Sequence, residues 1–211
     1  MSASPPKTSY KLFILIAVIA GIVGAWVANV ILANQHALPA LHTGTVISPP
    51  RPLANFTMQD FHNNAVTPAT LGGRWSVLFF GYTSCPDVCP TTLTQLTAVW
   101  KALSDIPAVQ KPQFVFVSVD SKRDTPEKLA GYVHYFSADF QGWTGTEEQV
   151  KLLTKAIGVP VIIQSLPDGG YNIDHSASLF IINPEQQLYA VVSPPYQTTD
   201  LANDLRSLAM H

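Results

Sequence analysis

WSVLFFGYTSCPDVCP, residues Trp75 to Pro90, passes from an unbroken apolar run into two cysteines and a proline. Trp75 to Tyr82 has strand length and no alternation, the pattern of a central strand covered on both faces. Pro90 is placed to open a helix. Leu93, Leu96, Val99, Trp100 and Leu103 then fall on one helical face. A strand followed at once by a helix puts Cys85 and Cys89 at a carboxyl strand end, where open α/β sheets bind ligands. The helix start adds exposed N–H groups and the positive end of a dipole, both of which stabilise a thiolate. Asp87, between the cysteines, is expected to cap the helix by accepting a backbone N–H.

Outward from this junction the pattern repeats. Gln113 to Val119 reads as a second buried strand, closed by Asp120. Asp124-Thr125-Pro126-Glu127 starts a helix through Phe136, and Thr146-Glu147-Glu148-Gln149 starts another that Gly158 can end. Val159 to Gln164 predicts a strand, Asp168-Gly169-Gly170 a turn, and Ser178 to Ile182 a strand. Asn183 to Gln186 turns the chain into Leu188 to Val192, giving a hairpin, and Leu201, Leu205 and Leu208 mark a last helix. A small hairpin is expected around Phe56 to Val66. Early strands joined by helices and a late hairpin imply an α/β fold, a thioredoxin-like mixed sheet flanked by helices.

The amino end is different in kind. Leu12 to Leu32, LFILIAVIAGIVGAWVANVIL, carries no charge, and about twenty apolar residues suffice to cross a bilayer core. A secretory signal has a shorter apolar stretch, so 12–32 is expected to be an uncleaved transmembrane anchor. Lys7 and Lys11 precede it, and no Lys or Arg follows until Arg51. Residues 1–11 are therefore expected in the cytoplasm and the rest exported. The leader lacks the arginines of a transit peptide, which points to a bacterial inner membrane with a periplasmic domain. Residues 33–52 read as a Pro-rich, extended linker, and 53–211 as one domain. With 12% charged residues, a net charge of -2 and no basic patch, nucleic-acid binding has no electrostatic basis.

Three chemistries are open to Cys85 and Cys89. A structural disulfide would close a tiny loop and contribute little. A redox disulfide suits the strand-to-helix junction, although three residues, Pro86-Asp87-Val88, separate the cysteines where redox thioredoxin-like pairs usually have two. The third is metal. Closed zinc sites want four ligands and the chain has only two cysteines; soft thiolates suit Cu(I), and an imidazole extends the set to Cu(II). Of six histidines, His36 and His42 lie in the linker segment, His62 in the small hairpin, His134 in mid-helix, and His211 at the end. His175 stands just before the strand Ser178 to Ile182, in a loop expected to face the cysteines. No proline occupies 174–177, which leaves room for an imidazole, though Val159-Pro160 also precedes an apolar strand.

GYTSCPDVCP, VSVDSKRDTPEKLAGYVHYF, GWTG and NIDHSASLFIINP together strongly resemble the Sco (SenC-type) copper proteins, from about Phe56 to the carboxyl end. The resemblance implies that Cys85, Cys89 and His175 ligate one Cu(I) or Cu(II). It implies a metallochaperone without turnover, serving the CuA centre in the second subunit of respiratory cytochrome c oxidase. It also leaves open a thiol–disulfide oxidoreductase acting on that subunit's cysteines through a Cys85–Cys89 disulfide. A periplasmic copper donor or thiol reductant would then be a further partner. The family segment with Asp120, Arg123 and Asp124 reads as a turn, an ion pair and a helix cap. Pro160 departs from relatives, which are often aromatic-rich there.

Overall fold

The computed structural model describes residues 10–35, 41–167 and 169–211, with side chains in the first helix described only over 13–27. The chain divides into two units, Met1–Pro39 and Ala40–His211. The first contains α1 (Tyr10–Gln35). Among the described residues no helix is long and apolar enough to cross a membrane, the described side chains of α1 being confined to 13–27. Residues 1–9 and His36 lie outside the described residues, as does Asp168 of the expected turn.

The second unit begins with β1 (Thr45–Pro52), β2 (Met58–Asp60), β3 (Ala65–Val66) and β4 (Ser76–Gly81). Then come α2 (Val88–Ala102), β5 (Gln113–Ser118), α3 (Pro126–Phe136), β6 (Gln141–Thr144) and α4 (Glu147–Ile157). It ends with β7 (Val161–Ser165), β8 (Tyr171–His175), β9 (Leu179–Ile182), β10 (Gln187–Val192) and α5 (Thr198–Ala209). An eight-stranded sheet runs β1-β10-β9-β4-β5-β6-β2-β3. β4, β5 and β6 are parallel; β9, β10, β1, β2 and β3 join by antiparallel pairings. This is the mixed thioredoxin-like sheet expected from the pattern.

Strand alternation divides the core into two layers. Val77 and Phe79 of β4, Phe114 and Phe116 of β5, and Leu179 and Ile181 of β9 pack with Leu93 and Leu96 of α2, Leu129 of α3 and Leu205 of α5. Leu78, Phe80, Val115, Val117, Phe180 and Ile182 face the other way, against Val150, Leu153 and Ile157 of α4 and Ile173 of β8. Both faces are thus covered, which is why these strands carry no polar alternation. Helix signals perform as expected at α4. Thr146 accepts a backbone N–H at the start of α4 and Gly158 ends α4 at φ +89°, while α3 is capped by Thr125, one residue past the Asp124 of the expected pattern.

Three elements differ from expectation. Residues 45–52, expected in the linker, form edge strand β1 against β10; prolines are tolerated at a sheet edge, where one side of the strand needs no donors. The entry to β1 is fixed by buried Asp204, which accepts Thr43 N (2.7 Å), Thr43 Oγ1 (2.6 Å) and His42 N (2.9 Å). β6, only four residues with Gly142 inside, is too short for a periodicity to show. His175 lies not in a loop but at the end of β8, which pairs with β7 in a separate two-stranded sheet. The strand after Val159-Pro160, β7, lies outside the main sheet, whereas β9 pairs with β4 as the hairpin topology implied.

Candidate metal centre

The chain after β4 turns at Tyr82, with Cys85 N donating to Tyr82 O at 3.2 Å. α2 begins at Val88, two residues before Pro90. Proline in the first turn costs nothing because those N–H groups have no intrahelical acceptor. Cys89 therefore enters the helix itself and is fully buried, while Cys85 remains half-exposed in front of it. Cys85 touches both core layers, so the pair sits where the layers meet at the end of the central strand. Gly81 makes this possible: a Cβ there would stand 2.6 Å from Cys89 Sγ and 2.8 Å from the Phe116 ring.

His175 arrives from the opposite layer. Along β8, Ile173 is buried, Tyr171 and His175 are half-buried, and Asn172 and Asp174 are exposed. The period of two thus turns His175 inward and Asp174 outward, where Asp174 accepts a hydrogen bond from Gln164 of β7. His175 Nε2 lies 3.2 Å from Cys89 Sγ, and one ligand atom from each of Cys85, Cys89 and His175 falls within 4.8 Å of the others. His175 Nδ1 lies 3.2 Å from the carbonyl oxygen of Ser176. A carbonyl only accepts, so Nδ1 carries the proton and the Nε2 lone pair faces the sulfurs, the arrangement usual for ligating histidines. Tyr82 and Phe79 wall the imidazole edge-on at 5.7 and 6.1 Å between ring centres. A cleft of about 310 Å³ gives access from solvent past Pro86 and Asp174.

Both cysteines are free thiols. The Cys89 thiol donates to Cys85 and brings it down to about 4, aided by backbone N–H groups of Cys89 and Asp87. Cys89 is pushed far up by that same hydrogen bond and by burial. The N–H groups at the head of α2 thus serve the Cys85 sulfur. The expected capping role of Asp87 is not seen: its exposed carboxylate accepts no backbone N–H. In the copper-free protein the Cys85 thiolate should persist as pH falls until about 4 and be lost below it. Alkylation of Cys85 should accordingly stay fast at pH 5, where an ordinary thiol near 8.5 is almost unreactive. A rate that falls tenfold per unit from pH 8 downward would contradict this.

The sequence marked all three residues, and among the described histidines the structure brings His175 alone to the sulfurs. His62 is exposed in the β2–β3 turn and His134 is exposed on α3, each against the Phe61 ring. His42 and His211 are exposed elsewhere. The segment read as turn, ion pair and cap contains the turn and the Asp120–Arg123 pair, but Thr125 is the cap. Asp124 instead holds the cysteine loop: it accepts Thr83 N (2.9 Å), Thr83 Oγ1 (2.5 Å) and Ser118 Oγ (2.7 Å). Sequence reasoning passed over Gly81, Thr83 and Tyr171. The glycine closing an otherwise apolar strand was the only local signal.

Comparison with known proteins follows the same lines. Residues 47–210 match the family model for SCO1/SenC. A Stutzerimonas stutzeri protein is 35% identical over 153 residues, 72% of this chain and 74% of that one. Mitochondrial protein SCO2 of Saccharomyces cerevisiae is 36% identical over 145 residues, 67% of this chain but 47% of the yeast protein, so the chain spans about half of its length. The crystal structure of Arabidopsis thaliana ScoI with copper bound has a TM-score of 0.69 at 28% identity, covering 75% of this chain and 99% of that one.

Proposed function

The chain belongs to the SCO1/SenC family, and from that premise we propose that it is a copper metallochaperone carrying one ion on Cys85, Cys89 and His175. The observation that carries this reading is the convergence of two sulfurs and an imidazole nitrogen within 4.8 Å, with the tautomer set by Ser176. The donor set fits copper on chemical grounds. Two soft sulfurs suffice for Cu(I), the nitrogen completes a three-ligand set suited to Cu(II), and zinc would lack a fourth protein ligand. The copper-bound structure of the Arabidopsis relative supports the same assignment.

Copper is the cargo, and the proposed recipient is the cytochrome c oxidase subunit that carries the CuA site. The proposed setting is a bacterial inner membrane, single-pass, with the copper domain in the periplasm. Two features support an anchor. α1 has 26 residues, about 39 Å at 1.5 Å per residue, against an apolar core of about 30 Å. Its side chains from Phe13 to Val27 include Ile14, Ile16, Ile19, Ile22 and Trp26, all exposed.

Anaerobic titration of the fully reduced chain tests the reading, with one Cu(I) bound per chain expected and zero ruling it out. His175→Ala should lower Cu(II) affinity and shift the sulfur-to-copper charge-transfer band while Cu(I) stays held by two thiolates. An unchanged Cu(II) spectrum in that variant would sink the role of His175.

The contrast between the cysteines favours a second reading, thiol–disulfide reduction of the same subunit. The half-exposed Cys85 thiolate would attack a partner disulfide, forming a mixed disulfide and releasing one partner thiolate. Cys89 would then attack Cys85, leaving a Cys85–Cys89 disulfide and the partner dithiol. The two electrons come from this chain's thiols. On this reading His175→Ala keeps function in cells while either cysteine variant loses it.

A further inference from the structure

The hairpin that carries His175 is hydrogen-bonded to no strand of the main sheet, so something else must set its height above the cysteines. Its inward face offers three side chains at period two: Tyr171, Ile173 and His175. Ile173 is buried in the core, and its N–H reaches Tyr82 Oη at 3.4 Å. Tyr171 is held by the turn after β5. Arg123 pairs through Nε with the buried Asp120 carboxylate. Its Nη1 donates to Tyr171 O at 3.0 Å, and its guanidinium lies 3.8 Å from the Tyr171 ring centre. The Tyr171 hydroxyl closes the ring of contacts on Asp120 Oδ1 at 2.8 Å.

A buried ion pair contributes little net stability, since desolvation offsets its attraction. Here Asp120 is buried and Arg123 half-buried, and among the described residues Arg123 Nη2 has no partner. What the arrangement does supply is geometry. Five donors in a rigid fork fix a carboxylate, a backbone carbonyl and a ring at once. One residue beyond Arg123, Asp124 fixes Thr83 of the cysteine loop. A single turn therefore grips both the strand bearing the histidine and the loop bearing the thiols.

We propose that Arg123, with Asp120 and Tyr171, is a positioning group that sets how closely His175 approaches the two sulfurs, and so sets the Cu(II) affinity of the site relative to Cu(I). The proposal rests on the copper reading above. Outer contacts of this kind are typically worth 10- to 100-fold in metal affinity. Because Arg123 and Tyr171 bear mainly on the strand of the histidine while Asp124 holds the cysteine loop, loss of the clamp should fall on Cu(II) and largely spare Cu(I).

The test uses the full 211-residue chain in detergent, reduced and anaerobic, with Arg123→Ala, Tyr171→Phe, His175→Ala and the Arg123→Ala/His175→Ala double variant. Cu(I) is measured by competition with a chromophoric chelator and Cu(II) by its charge-transfer band. Arg123→Ala should weaken Cu(II) by about 10- to 100-fold and shift the band, with Cu(I) affinity held within about threefold by the two thiolates. Tyr171→Phe keeps the ring and the carbonyl, so it should move Cu(II) in the same direction by less. Adding Arg123→Ala to His175→Ala should change Cu(II) no further, because the group being positioned is gone. Equal losses for Cu(I) and Cu(II), full additivity in the double variant, or native Cu(II) binding in Arg123→Ala would each overturn the clamp. If Arg123→Ala does not fold, Tyr171→Phe alone and combined with His175→Ala decides by the same criteria. Native Cu(II) binding in His175→Ala would instead overturn the ligand assignment, and the clamp with it.

Discussion

Cys89→Ser is expected to abolish useful copper binding in both oxidation states while leaving the fold nearly intact. Serine is close to isosteric, and its hydroxyl can donate to His175 Nε2, which lies 3.2 Å from the present sulfur. The buried site therefore gains no unsatisfied group. The metal loses far more. A serine hydroxyl stays protonated and hard at neutral pH, so the soft pair that suits Cu(I) becomes a single thiolate. The loss should exceed the roughly 100-fold ceiling of outer-contact changes, read by Cu(I) competition, with thermal unfolding close to native. Retention of one tightly held Cu(I) would show that Cys89 is not a ligand.

Gly81→Ala should produce the second large effect, from a single methyl group. The new Cβ would meet Cys89 Sγ at 2.6 Å and the Phe116 ring at 2.8 Å. Neither neighbour is free to give way. Phe116 is 2% exposed, Cys89 is in the first turn of α2, and both sit in the same packed layer. Overpacking of this kind costs about 1–3 kcal/mol, a fall in Tm of roughly 2–12 °C for a domain of this size. The cheapest relief moves the sulfur, so the Cu(II) band should also change and copper affinity should drop. A variant with native Tm and native copper spectra would mean that the strand end adjusts freely, against the close packing seen here.

Both effects arise at the stretch from Trp75 to Pro90, the part of the chain whose local pattern was most informative. Its strand, its helix and the placement of both cysteines between them could be read from neighbours within a few residues. The same holds for the Thr146 cap, the left-handed Gly158, the β9–β10 hairpin and the leucine face of α5. Errors gathered where local pattern and tertiary setting disagree. Three prolines made 45–52 look like a linker because proline disfavours strands, yet at an edge the missing donor faces no partner. Asp87 looked like a cap because aspartate usually is one, but the Cys85 sulfur takes the Cys89 N–H it would have used, and Pro90 at the next position has none.

Sequence sufficed for the layered α/β fold and the thiol pair at a helix start, which follow from spacing and burial pattern over short range, and its family motif singled out His175 among six histidines. Only the tertiary structure decided that His175 meets Cys89 across 86 residues, that Asp174 beside it points away, and that the Asp120–Asp124 turn holds both halves of the site. Such contacts form when separate layers close on one another. A chain-local pattern records which face a residue presents, whereas which residue waits opposite is fixed only by how the sheet and its hairpin come together.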